Sequence, residues 1–282
     1  MPWRLPRGVI ELGRRTAVMA IVNLTPDSFF AESRTSSPEA ALAFAEHALA
    51  AGADMLDLGA ESTRPGAVAV SAEEEWARLG PALERLRRAL PEALLSVDTR
   101  HASTARRAID AGADILNDVT GFEDDNLLSA AAAAQCGMVG LHHRGAFATM
   151  HQLPPLADPT AEVLAGLTAI RDRLETAGVH RERVVLDPGF GFGKNLDQNI
   201  PLLRDLDAFH QLGRPLLVGL SRKSFLRNSP EQPPADRLAA SLAALTVAVL
   251  AGAHIVRVHD VAASVDARGL ADRLLTSPNV RK

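Results

Sequence analysis

Eight short apolar runs alternate along the chain with longer Ala/Leu/Arg/Glu segments of helical period, and that alternation narrows the possible folds more than any other feature. The runs cover residues 18–22, 55–58, 94–97, 115–116, 138–141, 184–186, 216–218 and 255–258. Continuous apolar strands covered by helices are what a parallel sheet needs. Right-handed strand–helix–strand crossovers then leave two arrangements, a closed (β/α)8 barrel or an open doubly wound sheet. The chain has 282 residues and no composition break that marks a linker. A (β/α)8 barrel commonly uses about 250 residues as one unit. The pattern therefore predicts an α/β fold, a (β/α)8 TIM barrel in a single domain with its core over about 16–276.

Local signals agree with that frame. Ser37 before Pro38 reads as a helix N-cap with proline in the first turn. Ser71 with Glu74 three residues on reads as a capping box. Three segments repeat one phrase, Ala51-Gly52-Ala53-Asp54, Ala111-Gly112-Ala113-Asp114 and Ala251-Gly252-Ala253-His254. Each glycine suits a left-handed C-cap before the next strand. The stretch 144–158 is the least regular and reads as a loop over the mouth of the barrel.

The 30 basic and 34 acidic residues give a net charge of −4, which offers no reason to expect nucleic acid or an acidic membrane as partner. The lone Cys136 cannot form an intrachain disulfide, which fits a reducing compartment, and its place between an alanine run and Gly137 reads as a small buried filler. No apolar stretch is long enough to span a membrane, and the first residues lack the apolar core of a signal peptide. A cytoplasmic location is the expectation.

The polar residues that interrupt the runs carry the functional information, because a barrel keeps its active site at the C-terminal ends of its strands. Nearly every run ends in a side chain a core would not choose: Asn23, then Glu61-Ser62-Thr63-Arg64, Asp98, Asn117-Asp118, His142-His143-Arg144, Asp187, Ser221-Arg222-Lys223, and Arg257 with His259 and Asp260. Taken singly, each is explained by a cap, a turn or a solvated rim charge. Eight in the same phase of a repeat point to one shared site.

Two groups separate by charge. Asp98, Asn117 and Asp187, with Lys223, suit a flat heterocycle with an amino-pyrimidinone edge, since a carboxylate accepts from an exocyclic NH2 and a ring N–H together. Arg64, Arg257 and His259, with Asn23 and Thr63, suit an anion, which such barrels often bind near their last two strands. The run from Asp187 to Lys194 lacks the spacing of a phosphate-binding loop. It reads as a strand-to-helix turn, with Phe190 either a stacking wall or a core aromatic. The adjacent His142 and His143 point to opposite faces of a strand and make a poor metal pair. A Mg2+ held mainly by substrate phosphates and one amide oxygen suits this inventory better.

At this point the chain resembles a known family. Asn23-Leu24-Thr25-Pro26-Asp27-Ser28-Phe29 and Glu61-Ser62-Thr63-Arg64-Pro65-Gly66 look like two signatures of the dihydropteroate synthases. Ser96-Val97-Asp98-Thr99, Asn117-Asp118-Val119, Asp187-Pro188-Gly189-Phe190-Gly191-Phe192-Gly193-Lys194, Ser221-Arg222-Lys223-Ser224 and Arg257-Val258-His259-Asp260-Val261 follow in family order. The resemblance implies condensation of 6-hydroxymethyl-7,8-dihydropterin diphosphate with 4-aminobenzoate, a step of folate biosynthesis. It places the pterin on Asp98, Asn117, Asp187 and Lys223. Diphosphate falls on Asn23, Thr63, Arg257 and His259, with Mg2+ near Asn23. Aminobenzoate falls on Ser221, Arg222, Lys223, Pro65 and Phe190, under loops after the first two strands. Lys223, Asp98 and Arg257 are the residues it implies for catalysis, and a homodimer is the implied assembly.

Three departures stand out. After Phe29 the family usually has Ser-Asp-Gly-Gly, whereas this chain has Phe30-Ala31-Glu32-Ser33. Leu141 replaces a usual methionine, and the stretch after Phe225 is short and lacks the family's glycine. The first departure keeps open a pterin-binding paralogue without turnover. The methyltetrahydrofolate-binding methyltransferase barrels are a further alternative, which Ser221-Arg222-Lys223 and the two loop signatures disfavour.

Overall fold

Each apolar run becomes a strand of one parallel sheet. The computed structural model describes residues 1–25, 37–62, 69–146 and 149–276. The barrel strands are β3 (Ala17–Asn23), β4 (Met55–Gly59), β5 (Leu94–Asp98), β6 (Ile115–Asp118), β7 (Gly137–Leu141), β8 (Val184–Asp187), β9 (Leu217–Val218) and β10 (Ile255–Val258). Their order is β8-β7-β6-β5-β4-β3-β10-β9, and a parallel bridge between Leu186 and Leu216 joins the two ends. The sheet closes on itself, so the barrel replaces the open alternative.

The helices are α1 (Pro38–Ala50), α2 (Ala72–Ala89), α3 (Ala102–Asp110), α4 (Asp125–Ala133), α5 (Pro159–Thr176), α6 (Leu196–Arg204), α7 (Leu238–Leu250) and α8 (Val261–Thr276). None of them is long and apolar enough to cross a membrane. Ser37 caps α1 by accepting from the Ala40 amide, and Ser71 and Glu74 form the reciprocal box that starts α2. Gly52, Gly112 and Gly252 all have φ between 91° and 97°, as the repeated phrase requires.

Two apolar clusters separate the inside of the barrel from the outside. The larger lies between strands and helices and includes Val18, Leu56, Val97, Leu116 and Leu186. The smaller fills the barrel's N-terminal half with Met19, Met55, Ile115, Val139, Val185, Leu217 and Ile255. A hairpin of β1 (Pro2–Leu5) and β2 (Gly8–Glu11) plugs that end, and it was not anticipated from sequence. Trp3 is fully buried there, and its indole N–H donates to the Arg183 carbonyl at 3.0 Å. Cys136 is buried, and burial pushes its thiol up to about 11, in keeping with a filler.

Candidate functional site

Side chains on a strand alternate between faces, so an inward residue is followed by another two positions on. Counting two from the inner apolar layer gives Asp57 after Met55, Asn117 after Ile115, Asp187 after Val185 and Arg257 after Ile255. The barrel interior thus changes from hydrocarbon to polar groups within one step toward the C-terminal mouth. Cross-strand pairing adds the rest of the row, with Asn23 opposite Gly59, Gly59 opposite Asp98, and Asp98 opposite Asn117.

Arg257 ties this layer together. Its Nε donates to Asp57 Oδ2 at 2.5 Å and its Nη2 to Asp98 Oδ2 at 2.8 Å. Asp57 also accepts from Ser96 Oγ at 2.5 Å and Asn117 Nδ2 at 3.1 Å, and it is 0% exposed. Because Nδ2 is fixed by Asp57, Asn117 Oδ1 is turned away from it, buried and without a hydrogen-bond partner among the described residues. Burial and the nearby charges of Asp57, Glu75 and Asp118 push Asp98 up to about 8, against the pull of Arg257. Burial opposes the charge of Arg257 too, but Asp57 and Asp98 hold its pKa above the ordinary value. Burial likewise raises Asp187, opposed by Lys223.

The opposite wall is the glycine turn that follows β8. Asp187 Oδ1 accepts from the Gly189 amide at 2.7 Å, which folds the turn back over the strand end. At Gly189 φ is +67°, and a Cβ would stand 1.9 Å from the His142 carbonyl oxygen, so only glycine fits. Phe190 is 0% exposed and stacks on Phe225 with centroids 6.0 Å apart. Its ring is a core aromatic, so the expectation that Phe190 walls the ligand space is corrected. The carbonyl of Phe190 accepts from Lys223 Nζ. The half-buried ring that faces the lysine is Phe192, whose centre lies 4.5 Å from Nζ. Burial pushes Lys223 down to about 8, against the attraction of Asp187 and Asp98.

The segment Ser221-Arg222-Lys223 joins the ends of β9 and β10. The Ser221 hydroxyl accepts from the His259 amide at 3.2 Å and lies 3.0 Å from the His259 Nδ1. Arg222 has φ +60°, rare for a side chain of its size, and this kink separates the directions of its neighbours. Its guanidinium is buried and forms a two-pronged ion pair with Asp260. The Arg222 expected on a substrate is therefore corrected to one that braces the rim, because a fixed carboxylate already takes its fork.

The remaining expected residues divide between the polar row, the core and segments outside the described residues. Asn23 ends β3 beside the polar row. Thr63, Arg64 and Pro65, and the departure Ala31-Glu32-Ser33, lie outside the described residues. His142 is buried and packs against Gly166, where burial and the positive charge of Lys194 push it down to about 2. The residues around 144–158 do reach the mouth, since Arg144 donates to the carbonyls of Gly193 at 3.0 Å and Pro154 at 3.2 Å. Among the described residues Glu61, Glu75 and His101 bring possible metal-ligand atoms within 4.8 Å of one another. Arg100 holds both oxygens of Glu61 at 2.8 Å, so Glu61 is already engaged in a half-buried ion pair.

Sequence reading missed Asp57, Phe192 and Lys194. Asp57 left a signal, a charge in the middle of an apolar run where no strand end explains it.

Similarity to known proteins covers the same elements. The family described as pterin-binding enzyme matches residues 19–259. The dihydropteroate synthase of Escherichia coli (strain K12) is 41% identical over 260 residues, covering 92% of each chain. A Xanthomonas albilineans dihydropteroate synthase solved with 4-aminobenzoic acid is 40% identical, with a TM-score of 0.89 over 99% of this chain and all of that one. A Burkholderia cenocepacia dihydropteroate synthase complexed with 7,8-dihydropteroate is 40% identical, with a TM-score of 0.87 over 99% of this chain and 98% of that one.

Proposed function

This chain belongs to the pterin-binding enzymes, and within them to the dihydropteroate synthases, and on that premise we propose how its own residues divide the reaction. It is a transferase that moves a pterinylmethyl group from diphosphate onto the amine of 4-aminobenzoate. The observation that carries the assignment of roles is the buried Asn117 Oδ1, left without a partner among the described residues beside Asp98. A buried acceptor needs a donor, and two adjacent acceptors match the paired N–H groups of a pterin edge. Asp187 and Lys223 close the same pocket from the other side.

The diphosphate falls on Arg257 and His259, with Asn23 and Thr63. A Mg2+ ion belongs to this proposal. The carboxylates Asp57 and Asp98 are engaged by Arg257, so the neutral amide oxygen of Asn23 fits an ion that keeps most of its coordination on phosphate and water. Its contribution is to neutralise charge on the leaving group.

In the reaction the C–O bond between the pterin methylene and diphosphate breaks, and its electron pair leaves with the diphosphate. The aniline nitrogen forms the new C–N bond and then loses a proton. Asp98, Asp187 and Asn117 stabilise the electron-poor pterin, while Arg257 and His259 stabilise the growing anion. Lys223, Ser221 and Phe192 line the approach of the aminobenzoate, and Pro65 is proposed to join them. Holding the amine against the methylene supplies much of the rate, and no side-chain nucleophile is needed.

A homodimer and a cytoplasmic location complete the proposal. Val247 and Leu250 on α7 and Leu270 and Leu274 on α8 are 39–52% exposed on adjacent helices, an apolar surface suited to a second copy. The decisive experiment incubates the protein with 6-hydroxymethyl-7,8-dihydropterin diphosphate, 4-aminobenzoate and Mg2+. Diphosphate release that depends on aminobenzoate is expected. Pterin binding without release would select a binding protein, and absence of both would refute the assignment.

A further inference from the structure

Lys194 and Asn199 touch none of the proposed substrates, yet they hold the turn that does. The three glycines of the turn, Gly189, Gly191 and Gly193, have φ of +67°, +80° and +70°. Such a segment has little intrinsic preference for one shape, because glycine visits both sides of φ with ease. Its shape here is imposed by the hydrogen bonds made to its carbonyls. The Phe190 carbonyl faces outward to Lys223. The carbonyls of Gly189 and Phe192 face inward and accept from Lys194 Nζ at 2.8 and 3.1 Å, and that of His142 completes the set at 3.0 Å. Three carbonyls use all three N–H bonds of an ammonium group.

Lys194 is 4% exposed, and all three hydrogen bonds described for its ammonium go to peptide oxygens. Burying a cation this way is costly, and a methionine would fill the same space without that cost. Asn199, fully buried on α6, grips the turn from its flank. Its Oδ1 accepts from the Gly191 amide at 2.8 Å, and its Nδ2 donates to the Lys194 carbonyl at 2.9 Å and the Asn195 carbonyl at 2.6 Å. The turn is thereby pinned at Gly189, Gly191, Phe192 and Lys194. Outside it lies the Lys223 stem, whose Cδ stands 3.3 Å from where a Cβ of Gly191 would be.

We infer that Lys194 and Asn199 are positioning residues for the aminobenzoate half of the reaction, fixing the turn so that the Phe192 ring and the Lys223 ammonium present one shaped surface to the incoming aromatic acid. The inference rests on the synthase reading above. Neither residue meets the reacting atoms, and both act through Phe192 and Lys223.

The test is a double-mutant cycle on the KM for 4-aminobenzoate, using Lys194→Met, Asn199→Ala and Phe192→Ala singly and combined. Misplacing a binding surface by a fraction of an ångström is expected to raise KM on the order of tenfold in each single clamp variant. Added to Phe192→Ala, either clamp variant is expected to raise KM by no more than about twofold further, since the surface it positions is already gone. A role confined to stability gives the opposite pattern, a lower melting temperature with wild-type KM, or effects that multiply in the double variants. Either of these results overturns the inference. Asn199→Ala removes no charge, so it carries the cycle if Lys194→Met does not fold. The wild-type protein is assayed alongside. Lack of aminobenzoate-dependent diphosphate release there would count against the synthase reading, whereas a working wild type with multiplying effects would count against the clamp alone.

Discussion

Binding of a pterin is expected to drive a proton off the protein at neutral pH. Asp98 shares Arg257 with the buried Asp57, so one guanidinium serves two carboxylates. Burial and the charge of Asp57 then keep the Asp98 carboxyl protonated up to about 8. A pterin edge offers two N–H donors, and a carboxyl that accepts both is stabilised in its ionised form. Ring binding and proton loss are therefore linked. A carboxyl with a pKa of about 8 is mostly protonated at pH 7, so each bound ring is expected to release a large part of one proton. Lys223, pushed down to about 8, is already mostly protonated at pH 7 and can take back only a small part of that proton.

Isothermal titration with 6-hydroxymethyl-7,8-dihydropterin at pH 7, in two buffers of different ionisation enthalpy, reads this number directly. The ligand lacks the diphosphate, whose own ionisation would otherwise contribute. Affinity is expected to strengthen by about 1.4 kcal/mol for each pH unit between 6 and 7, with the proton leaving Asp98. A binding heat independent of buffer at pH 7, or net proton uptake, would refute the placement of Asp98 on the ring.

Three further outcomes are expected. Asp57→Asn removes the like charge beside Asp98 and leaves Arg257 with a single partner, so proton release at pH 7 is expected to fall. Stability is expected to drop by about 2 kcal/mol or more, since the variant leaves part of a buried ion network unmatched; a wild-type urea midpoint would oppose that view. His142 is held near 2 in the folded state against 6.5 as the ordinary value. Its contribution is complete above about 6.5 and is lost as pH falls toward 2, by about 2 kcal/mol between pH 6 and 4.5. His142→Phe is expected to flatten that part of the acid limb in urea unfolding, and an unchanged limb would exclude the residue as its source. Leu270→Glu places a charge on the exposed apolar face of α7 and α8 and is expected to convert a dimer to a monomer in light scattering. A wild-type protein that is monomeric at micromolar concentration would remove the premise.

What the sequence shows and what it hides follow from how local each feature is. Strand runs, caps and C-cap glycines depend on neighbours within a few residues, and Ser37, the Ser71 box and the three Ala-Gly-Ala phrases all have the predicted geometry. The polar strand ends were legible for the same reason, since Asp98, Asn117, Asp187 and Arg257 interrupt runs that should be apolar. The choice between Phe190 and Phe192 was not, because the direction of each ring depends on glycine dihedrals after the strand has ended. Ion-pair partners were least legible of all. Arg222 finds Asp260 38 positions away, and Arg257 finds Asp57 200 positions away. An arginine read from sequence is a cation in need of an anion, whether ligand or carboxylate. Only the closed barrel decides that Arg222 meets a carboxylate of its own chain, and that Arg257 is shared between two carboxylates at the mouth.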